Sequence, residues 1–476
     1  MLRLVLPFLL CLLPLTALGA GFSHLSRLAE EGFAIGAQAR LLDDGEVLGE
    51  IGAERQLSPA SVSKLYVSAA ALQRWGPQHT FTTRLVSIGD IDADGILQGD
   101  LVMEGGGDPA LVSEDLWRLV QELRQRGVRG INGQLVVSQW RFGPVECITK
   151  DRCQSRDRSA NTYSALLSSA GVNFGSWCMK VAPGPQPGSP ARLSSCDTVE
   201  PTTDVDNQVS TVAADKTTEL DAERVTGNNG DTMVIRGRIA VDDLPRSVYR
   251  SSSDPAVQSA QTLLALLEQA GITVDGGYAT SATAPPPNAR QLAAVDGKPL
   301  QELLLRTLNY SNNFMADILS LNLVETPRAS LADAGAALER FAQELPGHGP
   351  LRLLSGSGLT TENRTSALGV NALLEYMYRR PSLFPSFVAG LQSPVNGVMR
   401  FIRRGGDIFQ DHVMLKTGTL NQPISVRSVG GYFRTQSGRW GVFTVLVNGT
   451  ANTPYLSWSQ VLDPLASDLE EMILSR

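Results

Sequence analysis

Two hydrophobic rhythms divide this chain. At both ends, short apolar runs flank strong turn signals. Phe33 to Glu50 breaks at Asp43-Asp44-Gly45, and Val426–Phe433 and Trp440–Val447 flank Gln436-Ser437-Gly438-Arg439, so each pair reads as a β-hairpin. His412 to Lys416 adds a fifth strand, and one sheet could unite all five. Between them the period changes to that of a helix. From Ser61, the positions Val62, Leu65, Tyr66, Ala69 and Leu72 form one apolar face that stops at Gly76-Pro77. Further helices are predicted over 300–308, 313–324, 330–344 and 366–378. The tail from Trp458 to Leu474 is mildly amphipathic but acidic, which predicts a packed helix and not a membrane anchor. The middle, roughly residues 86–289, is different. Turns rich in Gly, Pro, Ser and Thr separate short β-like runs such as Gln134–Ser138 and Thr232–Ile239. Pro183–Pro190 and Glu200–Asp206 read as loops, and Ala284-Pro285-Pro286-Pro287 reads as a linker. The pattern predicts an α/β domain built from 21–85 and 290–476, interrupted by a large β-rich insertion of one or two subdomains over 86–289.

The first twenty residues read as a cleavable secretory signal. Arg3 precedes the apolar run Leu4–Leu15, and Ala17-Leu18-Gly19 offers small residues for cleavage after Gly19 or Ala20. The run is too short to span a bilayer comfortably, and no later segment is long and apolar enough. Removing the signal removes Cys11 and leaves Cys147, Cys153, Cys178 and Cys196, which allow three pairings. In an oxidising compartment, short loops favour Cys147–Cys153 with Cys178–Cys196. There is no paired CxxC and no HExxH, and the four histidines are scattered, so neither a metal nor a cofactor is expected. A net charge of −7 argues against a general affinity for nucleic acid or anionic membranes.

Lysine is scarce. Lys and Arg together number 41, of which six are lysine. Two of the six stand in Ser61-Val62-Ser63-Lys64 and Lys416-Thr417-Gly418-Thr419. A desolvated lysine can lose its proton, whereas arginine effectively cannot. On a helix, i and i+3 share a face, so the amine of Lys64 can reach the hydroxyl of Ser61 and accept its proton. No other lysine in the chain has a serine three positions earlier. Ser311-Asn312-Asn313, between two helical stretches, offers a hydroxyl to relay a proton and an amide to hold a carbonyl; alone it would read as a helix cap. Lys416, on a strand near a sheet edge, offers a cation for a carboxylate. Thr417 and Thr419 offer hydroxyls, and Gly418 permits close approach.

In this order, the three motifs match the SxxK, SxN, KTG set of β-lactamases and penicillin-binding proteins. The chain resembles the class C low-molecular-mass penicillin-binding proteins, the D-alanyl-D-alanine carboxypeptidase/endopeptidases. Ser61 lies 250 residues before Ser311, which leaves room for the inserted domains of that family. Glu104-Gly105-Gly106-Gly107-Asp108-Pro109 and Ser355-Gly356-Ser357-Gly358-Leu359 also resemble family phrases, and both read as tight turns. The resemblance implies a β-lactamase/transpeptidase-like catalytic domain, an antiparallel sheet flanked by helices. It implies that Ser61 is the nucleophile, Lys64 the base, and Ser311 the proton shuttle to the leaving amine. Asn313, Lys416, Thr417, Gly418 and Thr419 would bind substrate, and the Ser61 and Thr419 N–H groups would form the oxyanion hole. Asn312 departs from the commoner aspartate. The implied partners are peptidoglycan peptides ending in D-Ala-D-Ala or joined by D,D-cross-links, with β-lactams as covalent inhibitors, in the periplasm. A β-lactamase or esterase would use the same residues but deacylate quickly. A non-catalytic peptidoglycan-binding module would not turn over a D-Ala-D-Ala peptide.

Overall fold

The computed structural model describes residues 21–476, apart from 158–160, 198, 200, 201 and 229; the expected signal over residues 1–20 lies outside the described residues. The two ends of the chain meet in one five-stranded sheet in the order Val413–Leu420, Val426–Arg434, Trp440–Asn448, Ala34–Leu41, Val47–Ile51. Every neighbouring pair is antiparallel. The join lies between Ala34–Leu41 and Trp440–Asn448, paired from Ala34 opposite Asn448 to Leu41 opposite Gly441. The strands Val426–Arg434 and Trp440–Asn448 are buried along nearly their whole length, so their apolar residues show no period-2 alternation. On one face the C-terminal helix Trp458–Leu474 covers Phe443, Val445 and Val447. Its buried Asp468 accepts from the N–H groups of His24 and Leu25, both at 3.0 Å, which ties the front of the described chain to its last helix.

The opposite face carries the helices that position the site: Lys64–Trp75, Leu300–Asn309, Asn313–Asn322, Leu331–Gln343 and Ala367–Tyr378. Local chemistry sets their starts. The Ser330 and Ser366 hydroxyls accept from the N–H groups of Asp333 and Gly369, and Ser457 caps the last helix through Gln460. One start differs from expectation. The α-helix begins at Lys64, and Ser61 sits in a 3-10 turn, Ala60–Ser63, that leads into it. In a 3-10 turn, i and i+3 stack directly, which brings Ser61 under Lys64 more closely than an α-helical face would.

The middle of the chain builds further layers. Its larger sheet runs Tyr278–Ser281, Leu135–Ser138, Leu101–Glu104, Thr82–Ser87, Arg290–Asp296, packed against helices Ser113–Gln125 and Pro255–Gln269. Thr82–Ser87 and Arg290–Asp296, the strands by which the chain enters and leaves, pair with each other. Two three-stranded sheets share a separate small core around Trp177, Met179 and Ile235. The segment expected as a loop over Glu200–Asp206 becomes a strand at Asp204, where the parallel partner Gly230–Ala240 supplies the hydrogen bonds that composition did not announce. The helix from Pro255 is also new to the picture. Asp254 caps it by accepting from Ala256 and Val257, and proline occupies its first position. Cys147 is bonded to Cys153 and Cys178 to Cys196, the pairing favoured by short loops. Phe142, Ala165 and Leu167 from this middle region share an apolar cluster with Phe314, Ile318 and Leu321, so the insert is packed onto the helix Asn313–Asn322.

Candidate active site

A cleft of about 730 Å³ opens where the edge strand Val413–Leu420, the turn Ala60–Ser63 and the start of the helix Asn313–Asn322 converge. Ser61, Ser311, Asn313, Thr417 and Thr419 line it. The folding that brings these distant segments together rests on two glycines. A Cβ on Gly418 would lie 2.8 Å from the Ser61 nitrogen and 2.6 Å from the Pro59 carbonyl oxygen. A Cβ on Gly358, in the Ser355–Leu359 phrase, would lie 1.8 Å from the Ala60 carbonyl oxygen, and Gly358 has φ of +77°. Both positions need glycine because the backbone of the Ala60–Ser63 turn and its approach occupies the space a side chain would take. Gly418→Ala is expected to shift Ser61 against the strand and slow acylation by about 10²-fold, the usual cost of misplacing reacting atoms by an ångström. A near-ultraviolet spectrum like that of the wild type would show that the core is unaffected; an unchanged acylation rate would refute the tight-approach argument.

Lys64 is wholly buried. Its Nζ lies 2.8 Å from Ser61 Oγ, and it donates to Asn313 Oδ1 and to the Ser357 carbonyl, both at 2.7 Å. Burial pushes the amine well below its ordinary range; the nearby Lys416 cation adds to this, and the Asp317 carboxylate partly opposes it. A neutral amine has two N–H groups and one lone pair. The two carbonyl-type acceptors take the N–H groups, which leaves the lone pair for the Ser61 hydroxyl proton.

Lys416, also wholly buried, donates to Ser311 Oγ at 2.9 Å and to the Thr417 carbonyl at 2.6 Å, and burial pushes it down to about 7. Ser311 itself is held at φ of +54°, a left-handed backbone that is costly for a residue with a side chain and is characteristic of functional sites. Alternation along the edge strand separates the motif's duties. Lys416 faces Ser311 and Gly418 faces the Ala60–Ser63 turn. Thr417 and Thr419 alternate with them and both line the cleft, and the Thr419 hydroxyl accepts from Trp458 Nε1 at 3.2 Å. Asn312 takes no place in the cleft lining; its side chain caps the following helix by accepting from the Met315 N–H at 2.9 Å.

All eight residues singled out from the motifs therefore meet at this cleft or directly beneath it. Four neighbours were not singled out. Tyr163 uses its carbonyl to accept from Asn313 Nδ2 at 2.8 Å. Ser357 supplies the carbonyl to Lys64. Asp317 is wholly buried and pairs with the buried Arg152. Two carried a local signal: Ser357 stands in the Ser355–Leu359 phrase, and Asp317 lies four residues after Asn313 and so on the same helical face. The wall opposite the edge strand comes from the insert, through Lys150, Asp151, Gln154 and Tyr163.

Comparison with known proteins places the chain as a whole. The model of the D-Ala-D-Ala carboxypeptidase 3 (S13) family matches residues 23–468. A D-alanyl-D-alanine carboxypeptidase of Actinomadura sp. (strain R39) is 30% identical over 442 residues, 90% of this chain and 79% of that protein. Among solved structures, penicillin binding protein 4 (dacB) from Haemophilus influenzae superposes with a TM-score of 0.76 at 21% identity, covering 95% of this chain and 99% of that one. Bd3459, a predatory peptidoglycan endopeptidase from Bdellovibrio bacteriovorus, superposes with a TM-score of 0.51 at 14% identity, covering 93% and 92%. With a family match that spans both halves of the sheet and the whole insert, this chain belongs to the D-Ala-D-Ala carboxypeptidase 3 (S13) family.

Proposed function

We propose that this protein is a serine-type D,D-peptidase that removes terminal D-alanine from peptidoglycan stem peptides and cleaves D,D-cross-links through an acyl-enzyme on Ser61. The observation that carries the reading is the 2.8 Å contact between Ser61 Oγ and a fully buried Lys64 amine. Lys64 takes the hydroxyl proton as Oγ attacks the carbonyl of the penultimate D-alanine. The resulting oxyanion is met by the N–H groups of Ser61 and Thr419. Ser311, held by Lys416, relays to the departing amine the proton that Lys64 took, so the C–N bond breaks as a neutral amine leaves and Lys64 is restored. Thr417, Thr419 and the Lys416 charge receive the terminal carboxylate. Asn313 retains one amide hydrogen and one carbonyl lone pair for the substrate's own amide, since only one of each is spent on the protein. Water then releases the shortened peptide from Ser61. β-Lactams enter by the same acylation and remain bound. The protein acts in the periplasm after its leader, residues 1–20, is removed. The catalytic domain comprises 21–85 and 290–476, with the inserted domains over 86–289.

Cross-linked muropeptides, incubated with the protein and analysed by mass spectrometry, test reaction and substrate together. Monomers lacking one alanine and dimers converted to monomers are expected, both absent with Ser61→Ala. Unchanged muropeptides from a protein that still binds penicillin would replace this reading with that of a binding module.

A further inference from the structure

Arg152 comes from the insert, yet its guanidinium is buried in the layer beneath the catalytic cleft. It donates to the Ala165 carbonyl, to the Asp317 carboxylate at 2.5 Å, and to the Asn313 carbonyl at 3.5 Å. Asp317 is itself wholly buried. Its other oxygen accepts from Ser355 Oγ at 3.0 Å and from the Ser357 N–H at 2.8 Å. The two acceptors that orient the Lys64 amine are the Ser357 carbonyl and Asn313 Oδ1. Both belong to residues whose backbone the Arg152–Asp317 pair holds. The Cys147–Cys153 disulfide closes a short loop that contains Arg152, directly before Cys153, and so constrains where this arginine enters.

We propose that Arg152 is a positioning residue for the reaction: through Asp317 it holds the acceptors of Lys64 and so aims that amine at Ser61, which makes the insert a structural part of the catalytic centre. The inference rests on the roles of Ser61 and Lys64 given above. A purely structural ion pair would be indifferent to the protonation of Lys64. This pair is not, because three charges face the amine: Lys416 and Arg152 disfavour its protonated form, and Asp317 favours it.

The test is the rate of acylation by a fluorescent penicillin as a function of pH, for the full chain and for Arg152→Lys, Arg152→Met and Asp317→Asn. Arg152→Met is expected to slow acylation about 10- to 100-fold, the range for outer partners that orient a reacting group. Arg152→Lys should recover most of the loss. The acid limb of the profile should move in opposite directions. It rises in pH with Arg152→Met, which removes a cation and leaves the carboxylate unopposed. It falls with Asp317→Asn, in which the amide oxygen can still accept from Ser355 and Ser357 while the negative charge is gone. Thermal unfolding of each variant separates folding from chemistry, and if Arg152→Met does not fold, Asp317→Asn and Arg152→Lys decide. An acid limb unmoved in the folded variants, with labelling still dependent on Ser61, would overturn the positioning role alone. Labelling that survives Ser61→Ala would instead overturn the reading of the site.

Discussion

Ser61→Ala is expected to abolish covalent labelling by penicillin and to lower peptide turnover by on the order of 10⁶-fold, the scale seen when a serine hydrolase loses its nucleophile. The substitution removes one oxygen from the cleft lining, and the Lys64 amine keeps its bonds to Asn313 and Ser357. The fold should therefore persist, and intact-protein mass spectrometry after exposure to penicillin reads the effect directly. The unmodified mass is expected for the variant, against the mass of protein plus one opened β-lactam for the wild type. A persistent adduct on Ser61→Ala would place the nucleophile elsewhere and defeat the proposed function.

The second large effect concerns the base. Lys64→Arg keeps a positive charge and hydrogen-bond donors, but the guanidinium cannot give up its proton. If the residue only neutralised a developing charge, arginine would substitute in part. If it accepts the Ser61 proton, arginine fails, and acylation should fall by about 10²- to 10⁴-fold, the usual contribution of general-base catalysis. Lys64→Met, of similar volume but without a basic nitrogen, should fail equally. The pH dependence follows with a definite sign. Burial depresses the folded-state value well below the ordinary lysine range, so the free-base fraction grows as pH rises through that depressed value. Wild-type acylation should rise with it, then level off well before a solvent-exposed lysine would titrate. Neither variant should show that rise. A retained pH-dependent rise in Lys64→Met would assign the base to another group, with Lys416, itself pushed down to about 7, the first to test.

How much of this was legible differs from element to element. The helices over Ser330–Gln343 and Ser366–Tyr378 were readable to within a residue or two, because a serine cap and an apolar face are local properties of a dozen residues. The helix from Ser61 was placed correctly, but its first turn was not, since a 3-10 entry is decided by what packs on it. In this case Gly358 and Gly418 press the backbone from two sides. The strand at Asp204 was read as loop because a strand exposed along much of one side carries a weak alternation, and its partner lies elsewhere in the chain.

For this protein, then, sequence alone picked out the three motifs, their order, and hairpins at the two chain ends that one sheet could unite. Those depend on residue type and on short spacings that hold in any fold. Only the tertiary structure decided that Lys64 and Lys416 are stripped of water, that Asp317 and Arg152 meet across 165 residues, and that the insert forms a wall of the cleft. Desolvation and long-range pairing are set by which surfaces pack together. That is a property of the whole chain, which no local window contains, and it pushes two ordinary lysines below their usual range.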